Sequence, residues 1–342
     1  MRRGTHRRRG AALLTAAVAV SLAAGCTAGS GAGSRGEADG RAPQPERSHS
    51  TTDSGSVLAV KVDNVPAARP QTGLGAADVV YAEPVEAGLS RLMAIYATEL
   101  PEKVGPVRSA RESDLELLRQ FDRPTLAFSG AHSKLLPLID EAPLRAEPPG
   151  EESDAYVRDD GRPAPHNLYL RPGRLLPEPA GADALATGFR YGEAPEGGRS
   201  VSSRTVRYPS ASFGFTWSES ADRWLVSMDG APARTADGGR LAPATVVVQH
   251  VNVRESDFRD FRGNNSPYVE SVGSGEAEVL RDGRSYDAAW KRGAAADGTS
   301  FTTEDGTALN FAEGQVWVVF VDTTKADTTK GGTTQGGTTK AP

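Results

Sequence analysis

The distribution of apolar residues along the chain most constrains what it can fold into. Of its 342 residues, those from Thr27 to Ser56 include no Val, Leu, Ile or aromatic side chain. Such a segment buries too little apolar surface to offset the entropy lost on ordering, so 26–56 is predicted to be a disordered tether. Residues 323–342 repeat Thr-Thr-Lys and Gly-Gly, and they are predicted to be a disordered tail. A folded core therefore has to be built from about 57–322.

The N-terminus has the pattern of an export signal. Several arginines precede an apolar run from Ala11 to Ala24, which is too short to span a bilayer. Residues 1–25 are therefore predicted to be a signal peptide, and Sec and twin-arginine export both stay open. The run ends in "LAAGC", which looks like a lipobox, so Cys26 is predicted to carry a lipid. The chain is then expected at the extracytoplasmic face of the cell membrane; the alternative is a secreted protein with an unmodified cysteine.

The pattern of the core predicts an α+β fold. An N-terminal mixed α/β domain is expected over 57–200, because apolar runs with strand character alternate with a predicted helix near 110–121 and another beginning at Ala131. A mostly β C-terminal domain is expected over 204–322. There, Asp-Gly pairs separate short runs of strand character.

The clearest local signal in the second half is the stretch "EAEVLRDGRSYDAAW" (276–290). Its Asp282-Gly283 pair lies between two runs of strand character. Asp-Gly suits a two-residue type I′ turn, in which both central residues have positive φ. The stretch therefore predicts a β-hairpin.

Several stretches together carry a family resemblance. They are "VKVDNVPAARPQTGL", "ADVVYAEPVEAGLSRLMAIY", "VGPVRSAR", "APHNLY", "NVRESDFRD" and "GSGEAEVLRDGRSYDAAWKR". In combination they resemble the YerB-like lipoproteins of Gram-positive bacteria, over nearly all of 57–321. The resemblance implies a lipoprotein with an N-terminal α/β-type domain and a smaller C-terminal domain. It implies no catalytic residues, because the activity of that family is uncharacterised.

Two arginines flank a predicted helix start in "GPVRSARESDLELL" (105–118). Ser109 and Glu112 have the spacing of a capping box, which predicts Ser109 as the N-cap of a helix that reaches Phe121. The helix dipole disfavours cations at that end. Arg108 and Arg111 are therefore expected to need a negative group close by, from the protein or from a ligand.

The candidate ligand-binding residues combine these arginines with polar groups of neighbouring motifs: Glu83, Glu86, Arg91, Arg108, Arg111, His166 and Asn167. One interpretation is an internal network of ion pairs with no ligand. A second is a site for an anionic or polyol ligand of the cell envelope, because guanidinium groups pair well with carboxylate and phosphate. A third is a cell-wall glycan hydrolase, with His166 as general base and a carboxylate such as Glu83 as its partner.

Composition limits the classes of partner that the chain is expected to bind. A formal net charge of -5 and the absence of a basic stripe argue against nucleic acid. No cofactor is predicted and no metal site, because the histidines are scattered and Cys26 is the only cysteine. The expected partners are the membrane, through the lipid on Cys26, and a cell-wall polymer or an envelope protein. Docking of an envelope protein by the β domain would make the chain a scaffold.

Overall fold

The computed structural model describes residues 56–150, 154–260 and 263–323. The predicted signal peptide, Cys26, nearly all of the predicted tether and the tail after Thr323 lie outside the described residues.

Strands make up most of the regular secondary structure of the described chain. The strands of the first half are β1 (Leu58–Asp63), β2 (Val79–Pro84), β3 (Ser90–Tyr96), β4 (Thr125–Ala127), β5 (Arg145–Glu147), β6 (Tyr156–Arg158), β7 (Leu168–Leu170) and β8 (Arg199–Ser200). Those of the second half are β9 (Ser203–Tyr208), β10 (Ala211–Ser218), β11 (Arg223–Met228), β12 (Ala231–Pro232), β13 (Thr245–Val251), β14 (Val253–Arg259), β15 (Asn265–Val269), β16 (Gly273–Arg281), β17 (Arg284–Arg292), β18 (Ser300–Thr302) and β19 (Val316–Asp322).

Helices are few and short within the described ranges. The α-helices are α1 (Glu112–Leu118) and α2 (Leu136–Glu141). Single 3₁₀ turns occupy Pro66–Ala68, Leu74–Ala76, Glu86–Gly88, Pro172–Arg174 and Ala182–Ala184.

One 11-stranded sheet takes strands from both halves of the sequence. Its order is β18-β17-β16-β13-β19-β2-β3-β1-β4-β5, and β8 pairs with β17. The halves join where β19 pairs in parallel with β2, from Val316 opposite Val79 to Val319 opposite Ala82. Its central strands β1 and β19 are buried almost throughout, as expected of strands covered on both faces.

Alternating side chains of this sheet supply two separate cores. On one face Ala59, Tyr81 and Met93 pack under α1, α2 and the β14–β15 hairpin. On the other face, Val60 and Trp317 pack under the four-stranded antiparallel sheet β12-β11-β10-β9. The main sheet is therefore the middle layer of three.

The predicted α/β character of the N-terminal domain is wrong. Helix α1 has 7 residues and α2 has 6, whereas the predicted helices were longer and were expected to alternate with the strands. Backbone pairing explains the shorter α1, because the Ala110 N–H donates to the Gly130 carbonyl at 3.0 Å and the Ser129 N–H to the Arg108 carbonyl at 3.0 Å. Residues 108–110 are thus held in extended structure and cannot start a helix.

The predicted hairpin is confirmed. Strands β16 and β17 pair from Gly273 opposite Arg292 to Arg281 opposite Arg284. Between them Asp282 has φ 51° and Gly283 has φ 68°, as a type I′ turn requires.

Candidate functional site

Polar side chains replace apolar ones at one end of the face under α1. The register sets Arg91 of β3 opposite Asp63 of β1 and also opposite Glu83 of β2. Cross-strand partners point to the same face, so these three positions share the face of Tyr81 and Met93. The core therefore ends in a group of charges beside α1.

The innermost of these charges form a buried triad. The Lys61 ammonium contacts the carboxylates of Glu83 and Asp114, the latter at 2.6 Å, and each side chain is at most 2 % exposed. Burial raises the pKa of the Glu83 carboxyl to about 7, although the Lys61 charge opposes the shift. One ammonium thus faces two carboxyls, and the buried site favours a proton on Glu83.

Helix α1 begins two residues later than predicted. Its N-cap is Arg111, and the Asp114 carboxylate accepts the Arg111 N–H at 2.7 Å. The capping box therefore uses Asp114, whereas the prediction used Ser109 and Glu112. Arg108 lies in extended backbone before the helix, so dipole repulsion does not explain its partner, whereas Arg111 is the N-cap and pairs with Glu86 at that end.

Arg111 is held by the protein itself. Its Nε and Nη2 donate to the two oxygens of Glu86 at 2.5 and 2.8 Å, and its Nη1 donates to the Ala110 carbonyl at 2.9 Å. This bidentate pairing, followed by the Arg111 charge and a hydrogen bond from Ser266, lowers the pKa of the Glu86 carboxyl against the opposing effect of its burial. Arg111 therefore has few donors left for a ligand.

Asp63 holds both Arg108 and His166. The Asp63 Oδ2 atom lies 3.0 Å from the Arg108 Nε and 2.8 Å from the His166 Nδ1. The Arg108 Nε is buried without a hydrogen bond, so its contact with Asp63 is an ion pair whose N–H is poorly aligned. Within the described residues, the terminal nitrogens of Arg108 make no hydrogen bond.

Arg91 has no carboxylate of its own within the described part of the chain. Its Nη1 donates to the Ser109 carbonyl at 3.3 Å, and its remaining nitrogens make no hydrogen bond to a described residue. Burial, followed by the charge of Arg111, lowers the pKa of Arg91 to about 10. The protein thus keeps a desolvated guanidinium beside two others.

The three arginines, together with Asp63, Glu86 and His166, line a cavity of about 700 Å³. Its floor and one side are formed by residues of the first half, including Asp63, Glu86, Arg91, Arg108, Arg111, Glu112, His132 and His166. The β14–β15 hairpin of the second half forms the other side through Phe258, Arg259, Asp260, Asn264 and Ser266. The cavity therefore exists only when both halves are folded together.

Three glutamates attach the hairpin to the first half. The Ser256 hydroxyl donates to Glu112 at 2.5 Å, and the Ser266 hydroxyl donates to Glu86. The Glu116 carboxylate accepts the Tyr268 hydroxyl at 2.9 Å. Glu86 binds both Arg111 and Ser266. This one carboxylate therefore holds the arginine side of the cavity and the hairpin side together.

Two predicted site residues lie outside the cavity lining. Glu83 is buried with Lys61, and Asn167 is buried and accepts from the Arg158 Nη1 at 2.8 Å. The other five, Glu86, Arg91, Arg108, Arg111 and His166, line it. The predicted carboxylate partner of His166 was Glu83, and the structure has Asp63 in that place.

The sequence pattern did not indicate that the β14–β15 hairpin forms one side of the cavity, because its residues lie more than 140 positions from Arg111. His132, which also lines the cavity, packs its ring against Phe258 at 5.7 Å between centroids. Alternation along β1 could have identified Lys61 and Asp63 as residues of one face.

The described residues contain no group of three or more His, Cys, Asp or Glu that could hold a metal ion. Within the same ranges, no helix has the length and apolar character needed to span a membrane.

Comparisons with known proteins identify relatives of the whole core. Residues 43–185 match the family described as "Protein of unknown function (DUF3048) N-terminal domain", and 204–318 match its C-terminal domain. The chain is 25% identical over 280 residues to "Putative lipoprotein YerB" of Bacillus subtilis, covering 77% of this chain and 80% of that protein. The crystal structure of the YerB protein from Bacillus subtilis has a similar fold, with a TM-score of 0.63 at 23% identity over 78% of this chain and 90% of that one. The predicted resemblance is confirmed, and the chain belongs to the DUF3048 family of YerB-like proteins.

Proposed function

We propose that this protein is a lipid-anchored binding protein of the cell envelope whose cavity takes an anionic ligand. The observation that carries the proposal is the set of guanidinium donors of Arg91 and Arg108 that face the cavity without acceptors among the described residues. A desolvated guanidinium without an acceptor is unfavourable for folding. A bound carboxylate or phosphate would supply the missing acceptors through charge-assisted hydrogen bonds.

The three arginines differ in how many of their donors the protein itself binds, and this difference supports the same proposal. Arg111 is bound at two points by Glu86, and Arg108 is held by Asp63 through its Nε alone. Arg91 has a single backbone acceptor at 3.3 Å. Arg91 and the outer end of Arg108 are therefore the proposed ligand contacts, and Arg111 fixes the wall beside them.

The extracytoplasmic location rests on two observations. One is the "LAAGC" sequence that ends at Cys26 after a short apolar run. The other is the printed name of the Bacillus subtilis relative, which describes it as a lipoprotein. A lipid on Cys26 would hold the cavity outside the membrane, where ligands of the envelope reach it.

Calorimetric titration of the full chain in detergent with inorganic phosphate and with acetate tests the binding. Arg91→Gln is expected to weaken binding of the tighter anion at least tenfold and to leave Tm within about 2 °C of the wild type. Arg111→Gln is expected to lower Tm, because Glu86 loses its partner. Arg207, which is exposed and does not line the cavity, gives the matched control Arg207→Gln with unchanged binding. The proposal is contradicted if neither anion binds, or if Arg91→Gln binds the tighter anion as strongly as the wild type does.

A second candidate function, hydrolysis of an envelope polymer, is supported by the contact of Asp63 with His166. A neutral imidazole that donates from Nδ1 to Asp63 would leave Nε2 to accept a proton. A water attacking an ester or glycoside would pass its proton to Nε2, which would return it to the leaving oxygen. The test measures release of 4-nitrophenol from its phosphate and its N-acetylglucosaminide. Release that falls at least a hundredfold in His166→Gln, while phosphate binding persists, supports hydrolysis; no release by the wild type contradicts it.

A further inference from the structure

We infer that His166 is a third contact for the bound anion: its protonated imidazole donates from Nε2 to the ligand, so that the anion binds more tightly as the pH falls. This inference rests on the proposed function and adds the regulation of that same site by pH.

His166 borders the cavity beside the proposed ligand contact Arg108. Both side chains line the cavity. The Asp63 Oδ2 atom lies 2.8 Å from the His166 Nδ1 and 3.0 Å from the Arg108 Nε. Two groups that contact the same oxygen are immediate neighbours. An anion that accepts from the terminal nitrogens of Arg108 therefore lies close to the imidazole.

The contact with Asp63 leaves one nitrogen of His166 for the ligand. An ionised carboxylate only accepts hydrogen bonds, so the proton of the neutral imidazole lies on Nδ1. Nε2 has no hydrogen-bond partner among the described residues. A second proton on the imidazole makes Nε2 a charged donor, and the hydrogen bond from Nδ1 to Asp63 is kept.

The fixed charges that the first half contributes to the cavity lining balance one another. Three arginines and three carboxylates line this side: Arg91, Arg108, Arg111, Asp63, Glu86 and Glu112. The described part of the hairpin adds one charge of each sign, on Arg259 and Asp260. With neutral histidines, the described lining residues therefore carry no excess positive charge. Protonation of a lining histidine supplies one, and histidine is the side chain whose charge changes between pH 5 and pH 8.

His166 is better placed to take this proton than His132, the other histidine of the described lining. The His132 Nδ1 accepts the Lys134 N–H at 3.2 Å, and the His132 ring packs against Phe258. A second proton on His132 would go to Nδ1 and break that hydrogen bond. At His166 the corresponding nitrogen faces the Asp63 carboxylate, which stabilises an imidazolium.

Two glutamates beside the arginines are the other titratable groups to consider. Although burial opposes the shift, the hydrogen bonds and charge of Arg111 lower the pKa of the Glu86 carboxyl, so Glu86 stays ionised between pH 5 and pH 8. Burial raises the pKa of the Glu83 carboxyl to about 7. Glu83 contacts Lys61 and lies outside the cavity lining, so its proton offers the ligand no donor. A Glu83 variant separates its charge from that of His166.

Calorimetric titration of the full chain in detergent with sulfate, whose charge is constant between pH 5 and pH 8, tests the inference. The wild type is expected to bind sulfate at least fivefold more tightly at pH 5 than at pH 8. His166→Gln keeps a donor for Asp63 but gains no proton, so this ratio is expected to fall below twofold. His132→Gln and Glu83→Gln are the matched controls and are expected to keep the wild-type ratio.

A second measurement detects the proton directly. Titration at pH 7 in two buffers that differ in ionisation enthalpy gives the number of protons taken up with sulfate. If protonation favours the anion, the anion favours protonation by the same factor. The wild type is therefore expected to take up protons as sulfate binds, and His166→Gln is expected to take up less than half as many.

The outcomes separate this inference from the proposed function. If Arg91→Gln weakens sulfate binding but the wild type binds sulfate equally at pH 5 and pH 8, the inference fails and the anion site stands. The inference is also overturned if His166→Gln keeps the wild-type ratio or proton uptake, or if either control variant loses the ratio. Absence of sulfate binding at both pH values overturns the proposed function as well.

Discussion

Lys61→Met probes the buried charges beneath the cavity. The substitution preserves an unbranched side chain but leaves the Glu83 and Asp114 carboxyls, at most 2 % exposed, without their cation. Removing one partner of a buried ion pair costs about 3–5 kcal/mol. At about 2–4 °C per kcal/mol for a chain of this size, Tm is expected to fall by roughly 6–20 °C.

The loss should depend on pH with a defined sign. Two adjacent buried carboxyls without a cation favour their protonated forms, so the variant's folded state binds protons more tightly than its unfolded state. The stability conferred by those protons is present at low pH and is lost as the pH rises. Lys61→Met is therefore expected to be more destabilised relative to the wild type at pH 8 than at pH 5.

Thermal unfolding followed by circular dichroism at pH 5 and pH 8 measures both effects. Lys134 is exposed, so Lys134→Met is the control and should change Tm by less than about 2 °C. A destabilisation of Lys61→Met below about 1 kcal/mol, or an equal loss at the two pH values, would refute the reasoning.

Three further predictions address the triad, the turn and the anchor. The pKa of Glu83 is raised to about 7 in the folded protein, so the folded state binds this proton more tightly than the unfolded state does. The stabilisation from this proton is complete below pH 4.5 and is lost as the pH rises through about 7. Glu83→Gln should therefore reduce the fall in Tm that the wild type shows between pH 5 and pH 8. Gly283→Ala should destabilise by about 1–2 kcal/mol more than Gly230→Ala in the same melts; both glycines have positive φ, but only at Gly283 would an added Cβ lie 2.8 Å from the Trp217 Nε1. Cys26→Ser should release the protein into the medium, detected by immunoblot, and retention of an unlipidated wild type in the membrane would contradict the anchor.

Local interactions made part of the fold predictable. The turn at Asp282-Gly283 depends on two residues that accept positive φ, and the strands on either side extend directly from it. Similarly, the apolar runs that became β1, β13 and β19 were identifiable because buried strands need them. The set of candidate residues around Arg108 was also accessible from the sequence, and its role in binding stays a prediction.

Tertiary structure decided which strands are neighbours. The alternation of apolar and polar residues along one strand does not specify the strand with which it pairs. Alternation sets Asp63 and Arg91 on definite faces of their strands, but only the pairing of β1 with β3 brings them opposite each other. The start of α1 was decided in the same way. Ser109 has the spacing of a cap, but the hydrogen bond from Ala110 to the Gly130 carbonyl holds the chain extended at that point.

The cavity depended most on tertiary structure. Glu86 and Ser266 are 180 positions apart, and the hydrogen bond between them holds the hairpin side of the cavity beside Arg111. The amino-acid sequence alone determined the hairpin turn, the buried strand segments, the family and which charged groups are present, because these depend on neighbours along the chain. The partner of each charge was decided by contacts between distant segments, because burial lets Lys61, Asp63 and Glu86 pair only with groups that the folded sheet brings to them.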